Sequence, residues 1–278
     1  MKFDLHCHTK EGSFDAKVTV REYAEKFMEL GFDGFMITDH NSFRGCQEWD
    51  RIKDEPQYRE YNGGKGLTVL QGIEYDTKDA GHMLVVLPDG VYLPLLKMRG
   101  MRCKKLISFV HSCGGILGLA HPFGVPSSSA MGFKLMNEKL IRRMDFIEVF
   151  NTCETPVSNK LALELAEKYG LPGISGSDSH VADYIGSAYT EFSEFDITCN
   201  NDLIAAIKGG HITAAIGVER EETKKARVKG HWISQLGYRA YNRGLGKVEF
   251  PFRRLSHHNT VHKGPHSDKF SPHYKRIV

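Results

Sequence analysis

Six cysteines, at 7, 46, 103, 113, 153 and 199, include no Cys-x-x-Cys pair. No apolar segment opens the chain either. Met1-Lys2-Phe3-Asp4 runs straight into His6-Cys7-His8, so no secretory signal is expected. The cysteines therefore read as free thiols of a reducing cytoplasm. Long apolar runs are also missing. The longest, such as Met83–Leu87 and Ile116–Ala120, fall far short of the roughly 20 residues a spanning helix needs. No membrane partner is expected. No Gly-x-Gly-x-x-Gly follows the first apolar segment, which removes the main support for a dinucleotide site. Gly173-Ile174-Ser175-Gly176-Ser177 only partly matches a nucleophile elbow, because Ser177 stands where the final glycine belongs.

What is present suffices for a packed core: 41% of the 278 residues are hydrophobic, so wholesale disorder is excluded. The net charge of +3 hides a division. Residues 1–218 hold 23 Lys+Arg against 29 Asp+Glu, and residues 219–278 hold 14 against 5. Five of the 14 histidines fall between His257 and His273. An acidic, patterned body over 1–218 and a basic extension over 219–278 are the expected units.

The body reads as alternating strands and helices. Lys2–Cys7, Gly34–Thr38, Leu67–Ile73, Met83–Leu87, Ile116–Ala120, Phe146–Phe150 and Gly173–Ser175 have strand character. Val20–Leu30, Leu95–Cys113 and Val157–Tyr169 have helical spacing, and part of Arg44–Tyr61 is expected to be helical. A last strand and helix are expected at Gly186–Phe192 and Asn201–Lys208. Alternation implies a mainly parallel sheet. Strand after strand ends in His, Asp, Glu or Asn, as in a β/α barrel with its chemistry on the C-terminal rim. An open doubly wound sheet fits the alternation as well.

Nine polar groups stand at or beside these strand ends: His6, His8, Asp15, His40, Glu74, His82, His121, Asp178 and His180. Burying so many carboxylates and imidazoles on one rim is costly without positive charge. Divalent metals supply it, and nine ligands are too many for one ion. His6-x-His8 and Asp178-x-His180 each project two ligands to one face of a strand. Cys7 alternates away from them. His111 is read as structural and His211 as a surface residue. No Lys closes a strand, so a carbamate-bridged amidohydrolase centre lacks support.

The segments Asp4-Leu5-His6-Cys7-His8-Thr9, Ile37-Thr38-Asp39-His40, Gly72-Ile73-Glu74, Ala120-His121-Pro122 and Gly176-Ser177-Asp178-Ser179-His180 resemble, in content and order, the polymerase-and-histidinol-phosphatase (PHP) family. The resemblance spans roughly residues 3–195. It implies a distorted seven-stranded (β/α)7 TIM-like barrel with its metal site at the C-terminal ends of the strands. It also implies a phosphoesterase centre of two or three divalent ions (Mn, Zn or Fe). Carried over by motif, His6, His8, Glu74 and Asp178 hold one part of the cluster. Asp15, His40, His82, His121 and His180 hold the rest, with Glu11 competing for the place of Asp15. Asp178, His180, His40 and Glu74 are the residues assigned to the chemistry, and metal-activated water is the expected nucleophile.

A phosphate substrate also needs cations. Arg99 and Arg102 are the first candidates, with Lys10 and Arg44 on rim loops behind them; a solvated basic helix face is the alternative. Asp39, Glu148 and Asn151 are candidates for orienting the ligands. The extension interleaves cations with Trp232, Tyr238, Tyr241, Phe250, Phe252, Phe270 and Tyr274. It reads as a nucleic-acid surface, a cover for the barrel mouth, or a packed extension with a partly disordered end after about residue 255. The leading functional expectation is a phosphatase acting on a small phosphorylated substrate. The alternatives are a nuclease or oligonucleotide phosphodiesterase and, more remotely, a non-catalytic metal-bound module.

Overall fold

A computed structural model describes residues 1–126, 128–132, 137–193, 195–220 and 275–276. The elements in order are β1 (Lys2–Cys7), α1 (Val20–Glu29), β2 (Gly34–Ile37), α2 (Arg44–Ile52), α3 (Pro56–Arg59), α4 (Tyr61–Gly64), β3 (Thr68–Asp76) and β4 (His82–Val86). They continue with α5 (Cys103–Ser112), β5 (Ile116–Leu119), α6 (Glu138–Ile141), β6 (Phe146–Asn151), α7 (Pro156–Tyr169) and β7 (Gly173–Gly176). Last come β8 (Ala188–Phe192), α8 (Asn200–Gly209), β9 (Ile212–Gly217) and β10 (Lys275–Arg276). Of the basic extension, only 219–220 and 275–276 are described. The aromatics and histidines singled out between 232 and 274 lie outside the described residues.

The strands form one sheet in the order β10-β9-β8-β1-β2-β3-β4-β5-β6-β7. It curls into a nearly closed barrel. A parallel bridge between Cys7 and Ser179 brings the end of β7 back to β1. The His8 and Asp178 amides donate to Ser179 and His6 carbonyls at 3.1 and 2.8 Å. The sheet therefore holds more than the seven strands expected, with β8 antiparallel beside β1 and β9 antiparallel beside β8. Nor is it parallel throughout, because β4 runs against both β3 and β5. That reversal matters for the site. His82 is the first residue of β4, so an antiparallel strand brings it to the rim where the parallel strands end.

Local chemistry explains most boundaries. Thr19 and Glu22 form a capping box at the start of α1. Gly170, in left-handed conformation, ends α7. The helix expected over Leu95–Cys113 is interrupted: a single turn at Pro94–Lys97 is followed by non-helical backbone, with Gly100 at φ 91°, and α5 starts only at Cys103. The intervening chain is tied to β3 instead. Tyr75 Oη donates to the Met98 carbonyl at 2.6 Å, and the Gly100 amide donates to the Asp76 carbonyl at 2.8 Å. Lys97, Arg99, Arg102, Lys104 and Lys105 consequently do not share one helix face.

Leu5, Met36, Leu70, Leu84, Ile116, Phe146 and Ile174, from seven different strands, form one buried cluster with Leu203 and Ile207 of α8. They fill the barrel interior. α8 covers the end opposite the polar rim, where the Asn200 amide donates to the Gln71 and Leu87 carbonyls. Each such large apolar side chain contributes about 1.5–3 kcal/mol on burial. All six cysteines are free thiols, and Cys7 packs with Tyr23 and Phe35 away from the polar rim. Among the described residues, no helix is long and apolar enough to cross a membrane.

Candidate metal centre

The strand ends place their polar side chains on one rim. His6 lies near the end of β1 and His8 just past it, Glu74 sits near the end of β3, and His121 follows β5. Asp178 and His180 follow β7. The backbone is locally forced: His121 (φ 29°), Asp178 (φ 50°) and Asn41 (φ 48°) occupy a positive-φ region that non-glycine residues rarely adopt. Two of the three carry side chains in the cluster, and the third follows His40. Conformations of this cost persist where the surroundings over-determine them.

Glu74, 1% exposed, is the hub. Its Oε1 lies 2.8 Å from His82 Nδ1 and 2.8 Å from His121 Nε2. Its Oε2 lies 3.0 Å from His40 Nδ1 and 3.3 Å from His8 Nε2. His8 Nε2 also stands 3.3 Å from Asp178 Oδ1. Asp15, with 38% of its side chain exposed, sits at the mouth between His40 and His180, 3.6 and 3.4 Å away. Glu11 does not compete for that place, because its carboxylate accepts from the Val20 amide at the start of α1. All nine side chains thus gather on one rim.

The electrostatics are those of charges in need of partners. Burial disfavours the His6 cation, but Glu148, Asp178 and Glu74 outweigh it and hold its pKa well above the ordinary value. His40 is raised in the same way, against burial, by Glu74 and Asp15. Burial likewise opposes ionisation of Glu74, but His82, His40 and His6 keep it well below the usual carboxylate range. His8 is the exception. Burial, then the neighbouring His180 and His40, lowers it to about 4, so at neutral pH it offers an uncharged nitrogen lone pair.

A second layer orients these groups. Glu148 Oε1 lies 2.8 Å from His6 Nδ1, and its Oε2 accepts from the His121 amide at 2.7 Å. Asn151 Nδ2 donates to Glu148 Oε2 and Asp178 Oδ2, at 3.1 and 3.3 Å. Asp39 turns away from the ring of His40. It accepts from the Thr9 amide, Thr9 Oγ1, Ser13 Oγ and the Gly45 amide. Ser13 Oγ in turn lies 3.1 Å from His8 Nδ1. Asp39 thereby ties the loop after β1 to the orientation of His8.

The phosphate candidates separate. Lys10, Arg44 and Arg102 are exposed on the loop after β1, at the start of α2 and just before α5. Arg99 is corrected: it is 6% exposed and its Nη2 is ion-paired with Asp76, so its charge is spent on a buried carboxylate. His111 pairs with Asp145 at 2.8 Å, and the His211 ring packs 4.8 Å from that of Phe195. Sequence reasoning passed over Ser13 and Asp76. Glu74-x-Asp76 repeats the i, i+2 spacing of His6-x-His8, a signal that could have found Asp76.

The donors suit divalent metal. Four triads place one ligand atom from each residue within 4.8 Å of the others: His8/His40/His180, His6/His8/Glu74, His6/His121/Asp178 and His40/Glu74/His82. His40 Nδ1 is buried without a hydrogen-bond partner among the described residues. Neutral imidazole and carboxylate are donors for Zn, Mn or Fe.

A nearly closed α/β barrel with imidazoles and carboxylates gathered on one rim defines the class, a barrel protein equipped to bind metal. The PHP domain family matches residues 4–118 and the PHP-associated family matches residues 156–212. Residues 4–118 thus carry a PHP domain, followed by a PHP-associated segment. An uncharacterized protein of Methanocaldococcus jannaschii, MJ0417, is 35% identical over 97 residues; the match covers 34% of this chain and 41% of that relative's length. Endonuclease Q, in a complex with a 27-mer duplex carrying an abasic lesion, is similar in fold with a TM-score of 0.57 at 18% identity. That match covers 75% of this chain and 56% of the other. A two-domain protein of Bacteroides vulgatus, described as containing a PHP-like metal-dependent phosphoesterase, has a TM-score of 0.56 at 18% identity, covering 77% and 64%.

Proposed function

We propose that the protein is a metal-dependent hydrolase of phosphoester bonds, acting as a phosphatase on small phosphomonoesters such as nucleotides or phosphorylated metabolites. The observation that carries this is Glu74. Its two oxygens serve different imidazole sets, His82 with His121 and His40 with His8, the arrangement of a carboxylate shared between ions. The PHP domain supports the same reading. His6, His8, Asp15, His40, Glu74, His82, His121, Asp178 and His180 would hold two or three ions. When bound, such ions supply Lewis acidity, activating water near neutral pH and neutralising phosphate charge.

The chain's own groups do the rest. His8, uncharged at neutral pH, keeps a lone pair for ligation. Glu148 and Asn151 fix His6, His121 and Asp178 before substrate arrives, so little reorganisation is left for the reaction. His180 and Asp15 stand at the mouth and meet the substrate first. His180 Nδ1 donates to the Asp178 carbonyl at 2.9 Å, which leaves Nε2 as the nitrogen that would hold an ion. Lys10, Arg44 and Arg102 are the cations proposed to meet phosphate oxygens. Phosphate release across a panel of phosphometabolites, with metal analysis of the purified protein, tests the reading. No release from any phosphomonoester in Mn, Zn or Fe would overturn it.

One observation favours a second reading, cleavage of nucleic acid. β9 runs parallel to β1, since each is antiparallel to β8, so Gly217 ends toward the polar rim. β10 pairs with β9, Lys275 opposite Gly217. The basic extension therefore leaves from and returns to the side where the proposed metals sit, and its charge would suit a polyanion. The likeness in fold to DNA-bound endonuclease Q supports asking the question. Cleavage of a labelled strand in preference to a phosphomonoester decides it.

A further inference from the structure

The cluster contains a buried carboxylate that neither the nine-residue set nor the proposed mechanism uses. Asp76 ends β3 two residues after Glu74, on the same face of the strand, and is 1% exposed. Its Oδ1 lies 3.0 Å from His82 Nε2 and 3.7 Å from His40 Nδ1. Its Oδ2 is ion-paired with Arg99. Beyond these nitrogens neither oxygen has a hydrogen-bond partner among the described residues, and a buried carboxylate depends on nearby positive charge to offset its lost hydration.

The two oxygens therefore have different tasks. Arg99 is held over Asp76 by the chain that peels away before α5, and it fixes Oδ2. Oδ1 is left facing the His40 and His82 nitrogens. We propose that Asp76 is a further metal ligand of the centre, closing a subsite with His40 and His82, and that Arg99 is the residue that positions it. This rests on the reading of the cluster as a metal centre. The donor set is two imidazoles and a carboxylate, suited to Zn, Mn or Fe. The subsite is distinct in having its carboxylate shared with a fixed guanidinium.

The test is metal content and stepwise titration with Mn2+ and Zn2+ of the full chain, its Asp76→Asn variant and the Asp76→Asn/Arg99→Gln double variant. The single variant is expected to lose one equivalent of metal, or to weaken one binding step at least tenfold, with the other steps unchanged. The double variant removes the buried charge pair together, so no guanidinium is left unpaired, and it keeps the test available if the single variant fails to fold. It is expected to show the same deficit. Wild-type stoichiometry and affinity in Asp76→Asn, or recovery of wild-type binding in the double variant, would overturn the proposal; the latter would make Asp76 only a counter-charge for Arg99. If the wild-type chain takes up no metal, the metal reading itself fails and the subsite fails with it.

Discussion

The Nε2 atoms of His6 and His8 face each other across 3.0 Å in the buried rim. Two ring nitrogens so placed share at most one proton between them. The opposite ring nitrogens are already engaged, His6 Nδ1 by Glu148 and His8 Nδ1 by Ser13. Each imidazole is thereby oriented from behind, with its second nitrogen presented to the same small volume. That is how metal-ligating histidines are commonly held.

Replacing His8 or Asp178 with Ala is expected to remove metal and phosphate release together, activity falling by roughly 10²-fold or more. Metal content of the purified variants, measured beside phosphate release, checks this. Full turnover by a metal-free variant contradicts it.

Glu148→Gln keeps the size of the side chain but takes the charge from behind His6. Metal affinity is expected to fall by about 10–100-fold while the fold survives. Competition with a chromogenic chelator reads the affinity, and the thermal midpoint of the metal-free variant reads the fold. Unchanged affinity would mean that Glu148 only anchors the His121 amide.

The pH dependence of the metal-free protein has a definite sign. His6, His40 and His121 have folded pKa values raised above the ordinary histidine value. Their contribution to stability is complete below about pH 6.5 and is lost as pH rises through the raised values. Glu74 and Asp76 are shifted the other way, Asp76 to about 2. Their contribution is present above about pH 4 and is lost as pH falls through the lowered values. With chelator, the thermal midpoint is expected to decline from mildly acidic to alkaline pH. Added divalent metal should rescue the alkaline side most, because metal replaces the protons there. Equal rescue at all pH values would show that metal and protons do not compete at this cluster.

Substrate class is legible in salt. A phosphomonoester held by a few groups at the rim should be cleaved with weak dependence on ionic strength. A strand held by several cations of residues 219–278 should lose binding steeply, by about 10³-fold or more between 50 and 200 mM salt if six or more phosphates are engaged. Rates on a chromogenic monoester and on a labelled strand, measured across that range, separate the two.

The alternation of strands and helices, and the His and Asp pairs at strand ends, were legible because they follow from side-chain periodicity. His82 shows where periodicity stops: the residue was legible, but the reversal of β4 that brings it to the rim depends on pairing partners far along the chain. The run Leu95–Cys113 has helical spacing, yet Tyr75 and the Asp76 carbonyl capture its first half, a tertiary contact overriding local propensity. The same contact places Arg99 on Asp76 instead of at the mouth. Glu148 and Asn151 were visible as strand-end polar groups. Asp39 was also visible, but its bonds to the loop after β1 depend on how that loop folds.

The closure of the barrel yields one last test. Gly176 ends β7 where it meets β1, and a Cβ there would lie 2.4 Å from the Cβ of His6 and 2.9 Å from its backbone nitrogen. Backbone cannot step aside as a flexible side chain can, so an added methyl must push β7 from β1 or displace His6. Gly176→Ala is therefore expected to destabilise the protein by about 1–3 kcal/mol through overpacking. That is a fall in thermal midpoint of roughly 2–4 °C per kcal/mol for a domain of this size. Because the clash falls on His6, metal affinity should drop in the same variant, which a core substitution remote from the rim would not cause. A variant with lowered midpoint and wild-type metal affinity would show that β7 yields and His6 does not. A variant unchanged in both would contradict the close packing of β7 on β1.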